Sequence, residues 1–278
     1  LKISKKLMSI KFRIHKKNKV KFLKNQNRKN MTTIDPQEIE KFAKMAQEWW
    51  SPTGKFKPLH KFNPIRLQFL KQKICAHFGL DFSAIAPFKN NDKTIKIIDI
   101  GCGGGLITEP FARMQADITG IDAGEKNIKI AQIHADESGL NINYEVGSAE
   151  EYAQKNQQFD VVFALEIIEH VSDVEKFVQS CSQLLKPNGL MFVATLNRTA
   201  KSLIMAKYGV EYVLRWLPIG THDWHKFLKP SEIEVFARKY DLQLQEIQGF
   251  NYNIFKDQWN LGADLSINYM MVFTKKNS

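Results

Sequence analysis

Cysteine is scarce: Cys75, Cys102 and Cys181 are too few and too irregularly spaced for a disulfide framework or a zinc knuckle, and a reducing compartment suits them. The first thirty residues lack the apolar core and small-residue cleavage site of a secretory signal, and two Arg and two Ser are too few for a mitochondrial presequence. Acidic side chains are missing there altogether, so ten Lys and two Arg (Arg13, Arg28) stand unopposed. Setting those aside leaves 28 basic against 29 acidic residues, which excludes a domain-wide basic footprint for DNA or RNA. The rest is ordinary globular composition, 44% hydrophobic and 25% charged, enough for one full-sized domain.

The chain opens on Leu1, whereas Met31 precedes a well-formed helix start. Residues 1–30 are therefore expected to be a basic disordered extension with Met31 as the working N-terminus; the functional alternative is a polybasic arm touching anionic lipid or RNA. Residues 31–278 read as a single domain: a helical cap (31–90), a core (95–197), an insertion (198–229) and a completion of the sheet (230–278).

In the cap, Asp35 is the expected N-cap, Pro36 the first helical residue and Glu38 the partner in a capping box. Ile39, Phe42, Ala43, Ala46, Trp49 and Trp50 give that helix an apolar face. A proline-rich loop over 51–64 and a second amphipathic helix from Arg66 onward complete the cap. Downstream, strands at 95–100, 117–121, 142–146, 159–165, 189–196, 242–247 and 267–274 alternate with helices near 105–115, 125–138, 173–185 and 231–240. This predicts a doubly wound, mostly parallel, seven-stranded Rossmann-like α/β sheet. Ser172 and Glu175 are expected to form another capping box.

The chemistry starts at IIDIGCGGGLI, where a buried strand runs into Gly101, Cys102, Gly103, Gly104 and Gly105. Glycines there allow positive φ and close approach of a ligand at a helix N-terminus. The dinucleotide G-x-G-x-x-G is incomplete because Leu106 stands at its sixth position, and no Walker lysine follows. Asp122, twenty-one residues after Gly101 at the end of the second strand, is placed to accept hydrogen bonds from ribose hydroxyls. Taken alone it also reads as a helix cap.

These motifs, with FDVVFAL as the fourth strand and LLKPNGLMFV entering the fifth, resemble the class I S-adenosylmethionine-dependent methyltransferases. Asn188 departs from that pattern, replacing a glycine. The resemblance implies that Gly101 and Gly103 hold the methionine part of the cofactor, Asp122 the ribose, and Leu165 the pocket wall, with 147–150 near adenine.

After the fourth strand comes Glu166-Ile-Ile-Glu169-His170. On one helical turn these three polar groups would converge as a metal site, a general base with its neighbours, or an exposed turn. Over about residues 34–273, segments such as KFAKMAQEWW, HKFNPIR, LNRTAKS and GTHDWHKFLKP are similar to the ubiquinone-biosynthesis O-methyltransferases. That similarity implies methylation of phenolic hydroxyls on 2-polyprenyl-6-hydroxyphenol and 3-demethylubiquinol. It also implies Arg66 on the cofactor carboxylate and Mg²⁺ on Glu166, Glu169 and His170; if no metal is present, His170 is the expected general base on chemical grounds. By itself Arg66 reads as the solvated flank of a helix.

Residues 202–219 are apolar except for the stripe Lys207, Glu211 and Arg215. The segment is too short and too charged to span a bilayer; it is expected to lie in the membrane interface and collect a polyprenyl tail, or else to serve as a lid. The expected location is cytoplasmic, peripheral on the inner membrane, with other ubiquinone-biosynthesis enzymes as possible neighbours and no nucleic acid. His222, Asp223 and His225 are read as lid contacts. The competing readings are a soluble phenol as acceptor, or a cofactor-binding RNA partner using the basic arm.

Overall fold

The computed structural model describes residues 32–89, 94–204, 223–253 and 256–277. The basic extension and most of the insertion, including Trp216 and His222, lie outside the described residues.

Strand β4 (Phe159–Leu165) is buried at every position, as a central strand covered on both faces must be. Its alternation splits the core: Val161, Phe163 and Leu165 pack with Ile97, Phe192 and Val272 on one face, while Val162 and Ala164 pack with Ile98, Met191 and Phe273 on the other. Around β4 run β1 (Lys96–Ile100), β2 (Asp117–Asp122), β3 (Asn143–Val146), β5 (Leu185–Leu196), β6 (Leu242–Asn253), β7 (Gln258–Gly262) and β8 (Asn268–Lys275). Their order is β3-β2-β1-β4-β5-β8-β6-β7; the first five are parallel, and β8, β6 and β7 join antiparallel. The doubly wound sheet is as expected, with eight strands instead of seven. The additional strand, QWNLG, pairs with an extension of β6 as an outer hairpin and lacks the apolar alternation that would have marked it. Because the chain moves outward from β1 to β3 and then returns to β4, the switch point lies at the carboxyl ends of β1 and β4, where such sheets bind ligands.

Helices α1 (Pro36–Ala43), α2 (Lys57–Phe78), α3 (Thr108–Arg113), α4 (Glu125–Glu137), α5 (Ala149–Ala153), α6 (Val174–Leu184) and α7 (Pro230–Lys239) cover the sheet and its open edge. The expected single cap helix over 35–50 breaks after Ala43 into a 3₁₀ turn at Ala46–Glu48, which swings Trp49 and Trp50 onto the glycine loop. The expected loop over 51–64 is largely helix: α2 starts at Lys57. Pro58 sits in its first turn, where no N–H is needed, and Pro64 costs one backbone bond within it. Burial of Phe62, Asn63, Arg66, Phe69 and Leu70 outweighs that cost and carries Asn63 and Arg66 to the switch point. At the start of β5, Asn188 has φ 59°, a left-handed conformation that asparagine tolerates nearly as readily as glycine. Its departure from the resembled pattern is therefore conservative.

Neither proposed capping box forms. Asp35 does cap α1, accepting from Gln37 N at 3.0 Å, but Glu38 turns elsewhere. Asp173, not Ser172, caps α6, while Ser172 Oγ donates to the Thr33 carbonyl.

Candidate active site

The carboxyl end of β1 feeds a glycine loop whose sharp bends, φ 74° at Gly101 and 54° at Gly103, turn the chain back under the cap. A β-carbon on Gly103 would come within 2.5 Å of the Trp49 ring, so this glycine is demanded by the cap as much as by a ligand. Trp49 is fixed there: its Nε1 donates to Asn127 Oδ1 at 3.0 Å and its ring stacks on Phe56 at 3.7 Å. Trp50 Nε1 donates to the Gly104 carbonyl at 2.8 Å, and its ring stacks on His134 at 3.5 Å.

Asp122, at the end of β2, latches this loop. Its Oδ2 accepts from Gly103 N at 3.0 Å, and its Oδ1 accepts from Gly124 N at 2.7 Å and from Asn127 Nδ2 at 3.1 Å. Burial raises the carboxyl pKa against these donors, which pull it down. The acid expected at the ribose thus sits in the wall of the cavity that runs beneath the cap, together with Gly101, Gly103 and the buried Leu165. The expected adenine segment, 147–150, lines it as well; Ser148 caps α5 in a true capping box, and Glu150 accepts from Thr33 Oγ1 at 2.6 Å.

Arg66 is only 3% exposed, not a solvated flank. Its Nη1 faces Glu166 Oε1 at 3.3 Å, and Asn63 Oδ1 accepts from its Nε at 3.2 Å and from its Nη2. Asp99, at the end of β1, is buried nearby, bonded to Thr108 Oγ1 at 2.7 Å, and burial pushes its carboxyl up to about 6. A buried guanidinium in a cavity wall, matched by acids whose charged forms burial disfavours, suits an incoming carboxylate. These residues fit S-adenosylmethionine.

The Glu-x-x-Glu-His cluster departs from expectation. Glu166 adopts φ 54° and leans to Arg66, and the 3₁₀ turn begins after it, at Ile168. The three side chains therefore do not share one helical turn. Among the described residues no group of three or more His, Cys, Asp and Glu side chains is placed to hold a metal ion. The available donor atoms point the other way: Glu169 is 5% exposed, and its Oε2 is buried without a partner. Burial raises the Glu166 pKa, aided by Glu169 and opposed by Arg66.

His170 joins the cap instead. Its Nδ1 lies 3.0 Å from Glu38 Oε2, and the ring packs edge-on against Phe42 at 5.2 Å. Burial alone would lower its pKa, but the bond to Glu38 and the nearby Glu169 carboxylate outweigh that, and the net shift is upward. Asp223 merely caps the Trp224–Lys226 turn, and His225 does not line the cavity. Glu38, Asn63, Asn127 and Trp49 escape sequence reasoning as site residues, because their places depend on how distant segments pack; Asp99 lies inside the IIDIGCGGGLI motif, which by itself assigns it no separate role.

Comparison with known proteins places this geometry. The sheet resembles those of magnesium protoporphyrin IX methyltransferase from Synechocystis PCC 6803 (TM-score 0.52, 16% identity, 75% of this chain and 83% of that one) and of the plantazolicin methyltransferase BpumL (0.54, 18%, 87% and 97%). A family profile described as a methyltransferase domain matches residues 98–193. The fold and its loop are those of a class I S-adenosylmethionine-dependent methyltransferase. The ubiquinone biosynthesis O-methyltransferase of Pelagibacter ubique is 50% identical over 88% of this chain and 100% of its own length; that of Maricaulis maris is 50% identical over 90% and 96%. This chain belongs to the ubiquinone biosynthesis O-methyltransferase family.

Proposed function

We propose that the chain transfers a methyl group from S-adenosylmethionine to phenolic hydroxyls of polyprenylated ubiquinone precursors, 2-polyprenyl-6-hydroxyphenol and 3-demethylubiquinol. What supports this reading most is the mixed lining of one cavity: it gathers the polar side chains of Arg66 and Asp122, the apolar ones of Ile39, Phe42, Met45 and Leu59, and His170. When bound, the cofactor supplies an electrophilic methyl whose bond to sulfur breaks as the bond to phenol oxygen forms. Arg66 holds the cofactor carboxylate, Asp122 the ribose hydroxyls, and Gly101, Gly103 and Leu165 the surface it lies on. The apolar cap wall excludes water and aligns the ring for in-line attack. A phenol near pKa ~10 keeps its proton at neutral pH and needs an acceptor for it; His170 Nε2, which makes no hydrogen bond among the described residues, takes that role.

A second reading rests on the partnerless oxygen of Glu169. Glu166, Glu169 and His170 would hold a divalent cation such as Mg²⁺, which would polarise a phenolic oxygen and lower its pKa. An assay with S-adenosylmethionine and short-chain demethylubiquinol tests both readings. Methyl ether formation is expected under both; loss on EDTA, recovery on added Mg²⁺ and a fall of on the order of a hundredfold in Glu169→Ala would mark the cation reading. Indifference to EDTA removes the cation and leaves His170 as the base; a folded, cofactor-binding protein that makes no ether overturns the choice of acceptor.

The acceptor's tail belongs in lipid, so the proposal includes peripheral contact with the cytoplasmic face of the inner membrane through residues 202–219, alongside other enzymes of the pathway. No helix among the described residues is long and apolar enough to cross a membrane. Wild type is expected to pellet with anionic liposomes and Trp216→Glu to remain in the supernatant. Equal pelleting removes the segment as the anchor and favours a lid over a soluble phenol.

A further inference from the structure

Glu38 has a local role open to it on its own helix, yet its carboxylate reaches across to the core. It is 8% exposed and lines the same cavity as His170. Its two oxygens are used differently. Oε2 faces His170 Nδ1 at 3.0 Å, while Oε1 accepts from Lys226 Nζ at 3.0 Å. Lys226 also reaches the N-cap acid Asp35, at 3.3 Å, and so grips both ends of the first turn of α1. Lys41 stands farther off, 3.5 Å from Oε1 and 3.4 Å from Oε2, and so does not distinguish the two. The imidazole also packs edge-on against Phe42, with the ring centroids 5.2 Å apart.

An ionised carboxylate can only accept, so the nitrogen opposite Oε2 must carry the hydrogen. The neutral imidazole is then held with its proton on Nδ1 and a lone pair on Nε2. We propose that Glu38 is a positioning residue of the active site: from the cap it fixes the tautomer and orientation of His170, so that Nε2 is presented bare to the acceptor. This rests on the reading of His170 given above and holds whether Nε2 takes a phenolic proton or a cation, since both require that lone pair. Lys226 supplies the polarity of the device, because an ammonium can only donate and therefore claims whichever atom at Oε1 is an acceptor.

That polarity yields a discriminating substitution, Glu38→Gln. The side chain keeps its shape, and its amide oxygen stays with Lys226. The NH₂ group is thereby aimed at His170 Nδ1, which must become the acceptor, so the proton moves to Nε2. A purely structural tie between cap and core would survive the change, because a hydrogen bond remains on each side; a tautomer clamp is inverted by it.

The expected result in Glu38→Gln is a kcat lower by about 10–100-fold with a much smaller change in the acceptor KM, the scale of loss seen when a carboxylate behind a working imidazole is altered. Calorimetric affinity for S-adenosylhomocysteine should stay within about twofold of wild type, since the Glu38 carboxylate is taken up by His170 and Lys226. Imidazole ¹⁵N shifts, recorded at alkaline pH where the ring is neutral, should show Nδ1–H in wild type and Nε2–H in the variant. Adding Lys226→Met frees the amide to rotate and should return the Nδ1–H signature. A variant that keeps the wild-type tautomer, or one that loses the tautomer with kcat untouched, overturns the proposal. The shift measurement needs no turnover, so failure of the methyltransferase reading, seen as no cofactor uptake by wild type, is separable from failure of this one.

Discussion

Replacing Asp122 with alanine is expected to weaken binding of S-adenosylhomocysteine by about a hundredfold or more while the protein remains folded. Two losses combine. Hydrogen bonds to a charged group contribute about 1.5–3 kcal/mol each, and a ribose offers two hydroxyls to this carboxylate, so about 3 kcal/mol of direct binding, or a factor of about a hundred, disappears. The second loss falls on the loop. Gly103 N, Gly124 N and Asn127 Nδ2 all converge on Asp122, and without it the bend that shapes the cofactor surface has no common anchor. Asn127 also supports Trp49, so the disturbance reaches the cap. Asp122→Asn separates the two contributions. Its oxygen can still serve Gly124, but its NH₂ meets the Gly103 N–H donor to donor, so the loop should loosen although one acceptor survives. Calorimetry with a parallel thermal melt is the measurement. Affinity within about threefold of wild type in Asp122→Ala, a change of only about 0.7 kcal/mol, would show that the ribose is held elsewhere.

The glycine loop and Asp122 are legible in the sequence because they are local: a strand, a run of glycines and an acid at the end of the next strand must become neighbours in any parallel sheet, whatever packs around them. Arg66 is not legible from its own surroundings. It reads as a flank unless α2 is known to begin as early as Lys57, and that early start depends on burial overriding Pro64 inside the helix, which no local preference reports. Glu38 shows the opposite failure. The spacing from Asp35 offers a local partner, and the capping box is the economical reading, but a carboxylate in reach of both an imidazole and an ammonium gains more from them than from one backbone N–H. Its pKa, pulled well below the ordinary range chiefly by the His170 bond, reflects that choice. The Glu-x-x-Glu-His pattern does mark polar groups at the sheet's carboxyl edge. Convergence on one turn does not follow from it, because the left-handed backbone of Glu166, a conformation that periodicity does not anticipate, sends that side chain to Arg66.

Gly103→Ala should destabilise the protein by about 2–5 kcal/mol and abolish tight cofactor binding, although the change is a single methyl group. A left-handed alanine costs roughly 1–2 kcal/mol in the backbone, and overpacking costs a further ~1–3 kcal/mol. The second cost arises because the new β-carbon would lie 2.5 Å from Cζ2 and Cη2 of Trp49, a ring that stacks on Phe56 and donates to Asn127 and so has no free direction in which to retreat. Gly139 provides the control: it has φ 65°, yet an added β-carbon meets nothing within 4 Å. Gly139→Ala therefore carries the backbone cost alone, and the gap between the two melting temperatures isolates the collision with the cap. For a chain of this size that gap should be several degrees, about 2–4 °C for each kcal/mol. Tryptophan emission should shift in Gly103→Ala and not in Gly139→Ala, since only the former displaces Trp49. Equal melting points for the two variants would mean that the cap yields freely at Trp49, and the glycine would then be required by the ligand side of the loop and not by the ring packed above it.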